Sequence, residues 1–153
     1  VHDTEPLPVP PLVLYGTNPV FLTGRWWAEG RRWAHISWIV TGEQEPPQPF
    51  LTDKHLPYED ISELATESYQ QLRDDPAVRL VLPPLVICRG HVAFLRRWRR
   101  GGNTWWALTS RVICDPAPGP RHPRLIEDRA AAMDVRPIEG EDYRRVPRIY
   151  AGP

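Results

Sequence analysis

Residues 7–40, LPVPPLVLYGTNPVFLTGRWWAEGRRWAHISWIV, lie without a gap over residues 80–113, LVLPPLVICRGHVAFLRRWRRGGNTWWALTSRVI. A self-match of this kind marks an internal repeat, and it has to be read before any motif. Identical pairs include Pro10/Pro83, Pro11/Pro84, Leu12/Leu85, Val13/Val86, Phe21/Phe94, Leu22/Leu95, Trp33/Trp106 and Ser37/Ser110. Each copy reads as a short strand (near 12–15 and 85–88) followed by a β-hairpin (19–40 and 92–113). The hairpin turns are assigned to Ala28-Glu29-Gly30 and Gly101-Gly102-Asn103. Their last residues, Gly30 and Asn103, are types that tolerate the left-handed backbone a three-residue hairpin loop needs. The Pro-Pro step entering each copy suits a strand start or an edge.

Outward from the repeats, the segment joining them reads as a loop over Gly42–Pro57 and then a helix over Tyr58–Asp75. Ile61, Leu64, Ala65, Ser68 and Leu72 recur there at helical spacing. Pro57 fits the first helical position and Pro76 ends the run. After the second copy, APGPRHP (117–123) reads as a loop. Pro123–Asp134 reads as a short helix with Ile126, Ala130 and Met133 inward. Residues 135–153 read as an extended arm that orders on a partner. A lone three-stranded sheet cannot cover its own faces. The expected fold is therefore one α+β domain over 1–153, with pattern β3-α-β3-α and pseudo-twofold symmetry. Its parts are repeat one (7–40), an acidic loop and helix (41–77), repeat two (78–113) and a short helix with arm (114–153).

The 153 residues carry nineteen basic and nineteen acidic side chains, for a formal net charge of zero. That balance argues against a uniformly basic nucleic-acid coat, an acidic tail protein or a polybasic membrane anchor. No apolar run approaches the length of a membrane-spanning helix, and VHDTEPLPVPP has neither the basic nor the apolar region of a signal peptide. Two cysteines, Cys88 and Cys114, do not make a disulfide scaffold, and both are expected as buried thiols. The expected location is cytoplasmic. Eighteen of the nineteen basic residues are Arg, a bias of GC-rich coding that suggests a bacterial or phage source.

The zero is a sum of unlike parts. Residues 41–77 hold nine acids against Lys54 and Arg73, whereas residues 78–113 hold seven Arg and no acid. The basic run peaks in FLRRWRRGGNTWW, where alternation puts Arg97 and Arg99 on one face and Arg96, Trp98 and Arg100 on the other. Guanidinium forks hold phosphate oxygens and indoles stack on unpaired bases. The expectation is a DNA- or RNA-binding hairpin: Arg96, Arg97, Arg99 and Arg100 neutralise phosphates, Trp98 stacks, and Arg25, Arg31 and Arg32 make the matching contacts from repeat one. Trp33 and Trp106 are expected as shared core residues, and Trp27, Trp98 and Trp105 could face either way.

Two other readings stand beside that one. The Arg cluster could pair with Glu59, Glu63 and Glu67 of the acidic helix; an interaction module would then use helix 58–75 or the C-terminal arm on a protein partner. Alternatively, a small-molecule enzyme or binder could line a pocket with Trp. No phosphate-loop, dinucleotide or nucleophile-elbow motif occurs. His2, His35, His55, His91 and His122 are scattered, and His35 reads as a core histidine. No catalytic residue, metal or cofactor is expected.

Overall fold

The computed structural model describes residues 5–41, 48–114 and 122–150. Strands β1 (Leu12–Tyr15), β2 (Asn18–Ala28) and β3 (Arg31–Thr41) form an antiparallel meander, and β4 (Pro49–Pro57) pairs along β3. A 3-10 turn at Tyr58–Asp60 leads into β5 (Ile61–Glu63), which pairs back onto β1. The sheet order is thus β4-β3-β2-β1-β5. Its two edge strands are joined by only three residues, a link that spans about 15 Å at most. The sheet must curl until its edges approach, giving a small, partly closed barrel.

The second half repeats this plan. Strands β6 (Leu85–Cys88), β7 (His91–Gly101), β8 (Thr104–Cys114) and β9 (Pro123–Ala131), a 3-10 turn at Ala132–Asp134, and β10 (Val135–Pro137) give the order β10-β6-β7-β8-β9. One strand is added: β11 (Arg148–Tyr150) runs parallel to the far half of β7, with Arg148 opposite Trp98 and Tyr150 opposite Arg100. At the matching place in the first sheet there is a single parallel bridge, Arg25 to Asp74.

The chain divides into two compact units. The repeat-one unit comprises Pro10–Val81 with Asp115–Pro123, and the repeat-two unit comprises Val1–Val9, Leu82–Cys114 and Arg124–Pro153. Each is completed by the segment that leads into the other repeat. The Leu80 N–H donates to the Thr23 carbonyl (2.7 Å), and the equivalent Leu7 N–H donates to the Arg96 carbonyl (3.0 Å). The cores also correspond. Val13, Val20, Leu22, Ala34, Ile36, Leu56, Ile61 and Leu72 pack together in one. Val86, Ala93, Leu95, Ala107 and Val146 do so in the other, with Leu7, Val135 and Tyr143 against them. In each unit a tyrosine hydroxyl ties a loop to the first strand. Tyr69 donates to the Leu12 carbonyl (2.6 Å) and accepts from the Leu64 N–H (2.8 Å); Tyr143 does the same with Leu85 (2.6 Å) and Ile138 (2.7 Å).

These strands overturn the expected α+β fold and its β3-α-β3-α pattern. The chain is nearly all β, in two antiparallel sheets, and no helix longer than a 3-10 turn occurs among the described residues. Tyr58–Asp75 is a 3-10 turn, a short strand and loop. Ile61 and Leu72 are buried from strand and loop positions, while Ala65 and Ser68 are exposed. The apolar spacing there imitates a helix, and the distant hydrogen bonds of Tyr69 hold a conformation that no local pattern encodes. Pro123–Asp134 is strand β9 and a turn; pairing with β8 outweighs its alanine run, since so short a helix is marginal alone. Residues 135–150 are no free arm, because Ile138 and Val146 are buried and β10 and β11 join the sheet. The expected loop Gly42–Pro57 is strand β4 over Pro49–Pro57, because nine residues find partners along β3 that no local pattern announces. Residues 42–47, residues 117–121 of the second expected loop, the position of His2 and the last three residues lie outside the described residues.

The hairpin turns are tighter than expected. Ala28 pairs with Arg31 and Gly101 with Thr104, so each loop is two residues. Glu29 (φ 57°) and Gly30 (φ 72°) are both left-handed, whereas in the second turn Gly102 (φ 62°), not Asn103, takes that conformation. Each long hairpin also has a register shift at the same place, between Leu22 and Gly24 and between Leu95 and Arg97. A bulge bends the strand and reverses which residues face the core. Ala93 and Leu95 face inward before it and Trp98 after it, which turns Arg97 and Arg99 to the opposite face.

Candidate nucleic-acid interface

In the repeat-two unit that opposite face is a half-open groove of about 480 Å³. β7 supplies Arg97, Arg99 and Gly101, β8 supplies Trp106 and Leu108, and β9 supplies Arg129. The pairing explains the assembly: Arg97 lies opposite Leu108 and Arg99 opposite Trp106. Trp106, expected in the core, is 42% exposed. Arg99 and Arg129 are exposed and form no ion pair among the described residues. The groove therefore offers positive charge along its walls and an indole between them.

The structure separates the other expected contact residues. The Arg96 side chain is 12% exposed; it donates to the Leu7 carbonyl (2.7 Å), the Ser110 hydroxyl (3.1 Å) and the Glu127 carboxylate (2.7 Å). It fastens the leading segment and β9 to the bulge. Arg100 is exposed at the tip and donates to the Gly102 carbonyl. Trp98 is half-buried on the core side of β7.

In repeat one the basic residues meet acids of their own unit. Asp74 pairs with Arg25 (3.2 Å) and Arg32 (3.1 Å), and Glu59 pairs with Arg31. Arg32 also lies over the Tyr58 ring (4.6 Å). Two acids of 41–77, Asp74 and Glu59, thus hold Arg25, Arg31 and Arg32. By sequence, the repeat-two unit carries twelve Arg against eight carboxylates, and the repeat-one unit seven basic residues against eleven.

The face of repeat one that matches the groove is filled. Gly24, Trp26, Trp33, His35 and His55 stand where repeat two has Arg97, Arg99, Trp106, Leu108 and Arg129. The Arg79 guanidinium stacks over Trp26 (4.6 Å) and lies so close across Gly24 that a Cβ there would meet it at 2.9 Å. His55 packs edge-on against both Trp26 and His35. His35 stands 2.5 Å from the Thr23 hydroxyl through Nδ1 and 3.7 Å from Asp53 through Nε2. That line of hydroxyl, imidazole and carboxylate resembles a nucleophile relay, yet Thr23 is 2% exposed and out of reach of a substrate. The arrangement is a structural tie. Burial, then the nearby Arg79 charge, pushes the His35 pKa down, with Asp53 opposing them.

Cys88 is buried, and burial raises its pKa; Cys114, expected buried, is exposed. No three His, Cys, Asp or Glu side chains converge as a metal would require among the described residues. Sequence reasoning missed Trp106 and Arg129 as surface residues. Arg129 was hidden inside an expected helix, and Trp106 behind its identity with Trp33. The missing signal is a second self-match at an offset of 74, carrying Pro49/Pro123, Asp60/Asp134, Glu67/Glu141 and Tyr69/Tyr143. It would have aligned Arg129 with a strand residue, His55. Set against known proteins, the chain matches no family model, no curated protein and no solved structure.

Proposed function

We propose that the protein binds single-stranded DNA or RNA through the repeat-two groove. The observation that carries this reading is the indole of Trp106, 42% exposed on an open groove whose walls bear Arg97, Arg99 and Arg129. A duplex hides its base faces, whereas a single strand offers both phosphates to the guanidiniums and a base face to the indole. Repeat one serves as the supporting half, since its Arg25, Arg31 and Arg32 are held by Asp74 and Glu59.

The test is a titration of labelled single-stranded and duplex oligonucleotides at several salt concentrations. Removing one guanidinium from a bound phosphate should flatten the log-log salt slope by about 0.7. Arg99→Ala and Arg129→Ala should each do so, and neither should change the melting temperature much, because both side chains are exposed. Trp106→Ala should weaken single-strand binding about 5- to 150-fold, the loss of one stacked base, while leaving the slope in place. Unchanged affinity and slope in the double Arg variant would overturn the reading. Polyglutamate binding as tightly as the oligonucleotide would assign the groove to an acidic protein instead.

A further inference from the structure

On the other side of the β7–β8 hairpin lies a second, almost wholly apolar trough of about 230 Å³, walled by Trp98, Trp105, Ala132 and Arg148. Its origin is visible in the repeat. The matching residues of repeat one are Arg25, Arg32, Tyr58 and Asp74. They close on themselves: Asp74 joins the two arginines, and the Tyr58 ring lies under the Arg32 guanidinium at 4.6 Å. The equivalences are structural as well as sequential. Tyr58 and Ala132 each open the 3-10 turn, and Asp74 and Arg148 each pair in parallel with the residue that became Arg25 or Trp98. The trough is the space of the missing phenol ring, with two indoles for walls and a cation at its rim.

We infer that this trough is a base slot: it takes one nucleobase of the strand bound in the groove, and Arg148 holds the adjoining phosphate. The inference rests on the nucleic-acid reading above. A flat ring fits where Tyr58 lies in the other repeat, and indole walls give it stacking surfaces. Trp105 is already braced by Tyr150, edge to face at 5.2 Å. Arg148 is exposed and without an ion pair among the described residues, so the rim favours an anionic substituent over a cationic one. Between groove and slot lie Gly101, the last residue of β7, and Gly102 of the turn, and a Cβ added at either would meet nothing within 4 Å. A single strand can therefore cross the hairpin end at these two glycines, leaving one base on Trp106 and another in the slot.

The decisive variant is Ala132→Tyr, which restores the ring that repeat one has and removes no charge or indole. The probe is a labelled oligothymidylate of about twelve nucleotides, within the usual reach of such sites. Ala132→Tyr should weaken binding about 5- to 150-fold with the salt slope unchanged, whereas Arg99→Ala with Arg129→Ala should flatten the slope. Trp105→Ala supplies the same reading if the tyrosine variant melts early, and Arg148→Ala should flatten the slope by about 0.7. If Ala132→Tyr folds, or Trp105→Ala replaces it, and affinity stays that of the parent protein while the groove variants lose theirs, the slot is wrong and the groove reading stands. If the parent protein binds no oligonucleotide, both fall.

Discussion

Where repeat one sets Asp74 between Arg25 and Arg32 and lays the Arg32 guanidinium over the Tyr58 ring, repeat two lines an open trough with Trp98, Trp105, Ala132 and Arg148. Where repeat one covers Gly24 with Arg79 and stacks Trp26 on His55, repeat two leaves a groove between Arg99, Trp106 and Arg129. The strand orders, the bulges and the tyrosine ties are the same in both. One framework thus tolerates opposite surface chemistry, because its stability comes from the shared inner face. On these two faces repeat one satisfies its own charges and rings, whereas repeat two keeps cations and an indole exposed; away from them repeat one still exposes Trp27.

Substitutions at three shared positions probe that contrast. The largest effect belongs to the core. Leu22→Ala and Leu95→Ala remove equivalent buried side chains and should each cost about 2–5 kcal/mol. Leu22 should be the costlier, since its neighbours Val20, Ile36 and Leu56 are bulkier than the corresponding Ala93, Thr109 and Ala130 and make a wall less able to collapse. Urea titration reads both, and equal or reversed costs would erase the packing difference. Next come Tyr69→Phe and Tyr143→Phe. Each leaves a backbone N–H and a carbonyl without their partner and should cost about 1–3 kcal/mol. Here the two units should agree; a clear difference would show that the ties are not equivalent.

The smallest effect is a pH dependence confined to repeat one. The folded His35 pKa lies below its ordinary 6.5. Between that depressed value and 6.5 the unfolded chain binds the extra proton, so stability falls as pH drops through this window. Arg79, Asp53 and His55 are the charged or titratable groups facing His35. Replacing His35 by Leu, as Leu108 stands in repeat two, should flatten that slope as pH falls below 6.5. An unchanged slope would move the titration elsewhere.

The hairpin strands were legible because each one is written locally. Apolar and aromatic residues crowd Val20–Trp27, and Glu29-Gly30 marks the turn. What failed was everything that depends on distant partners. Ile61, Leu64 and Leu72 mimic a helix because a strand end and a loop happen to place apolar groups at that interval. The bulges at Thr23 and Arg96 carry no composition cue, yet each reverses the faces beyond it. Reading Arg97 and Arg99 as one face was therefore sound, but Arg96 belongs to the frame. Trp106 defeats the repeat logic itself: identity in two copies implies one role only where the surroundings match, and here only the backbone position is shared. A single-residue difference in length between the joining segments shifts the offset from 73 to 74 and hid the second half of the repeat.

The hydrogen bonds of Leu7 and Leu80 carry a consequence for how such a chain arises. A polypeptide with one repeat would hold its leading segment in front of it, yet the barrel it forms is completed by the leading segment of the other copy. Alone, it could close only by trading that segment with a second molecule. In the fused chain each barrel depends on the residues that lead into the other repeat, so neither repeat can be removed without opening the barrel that remains.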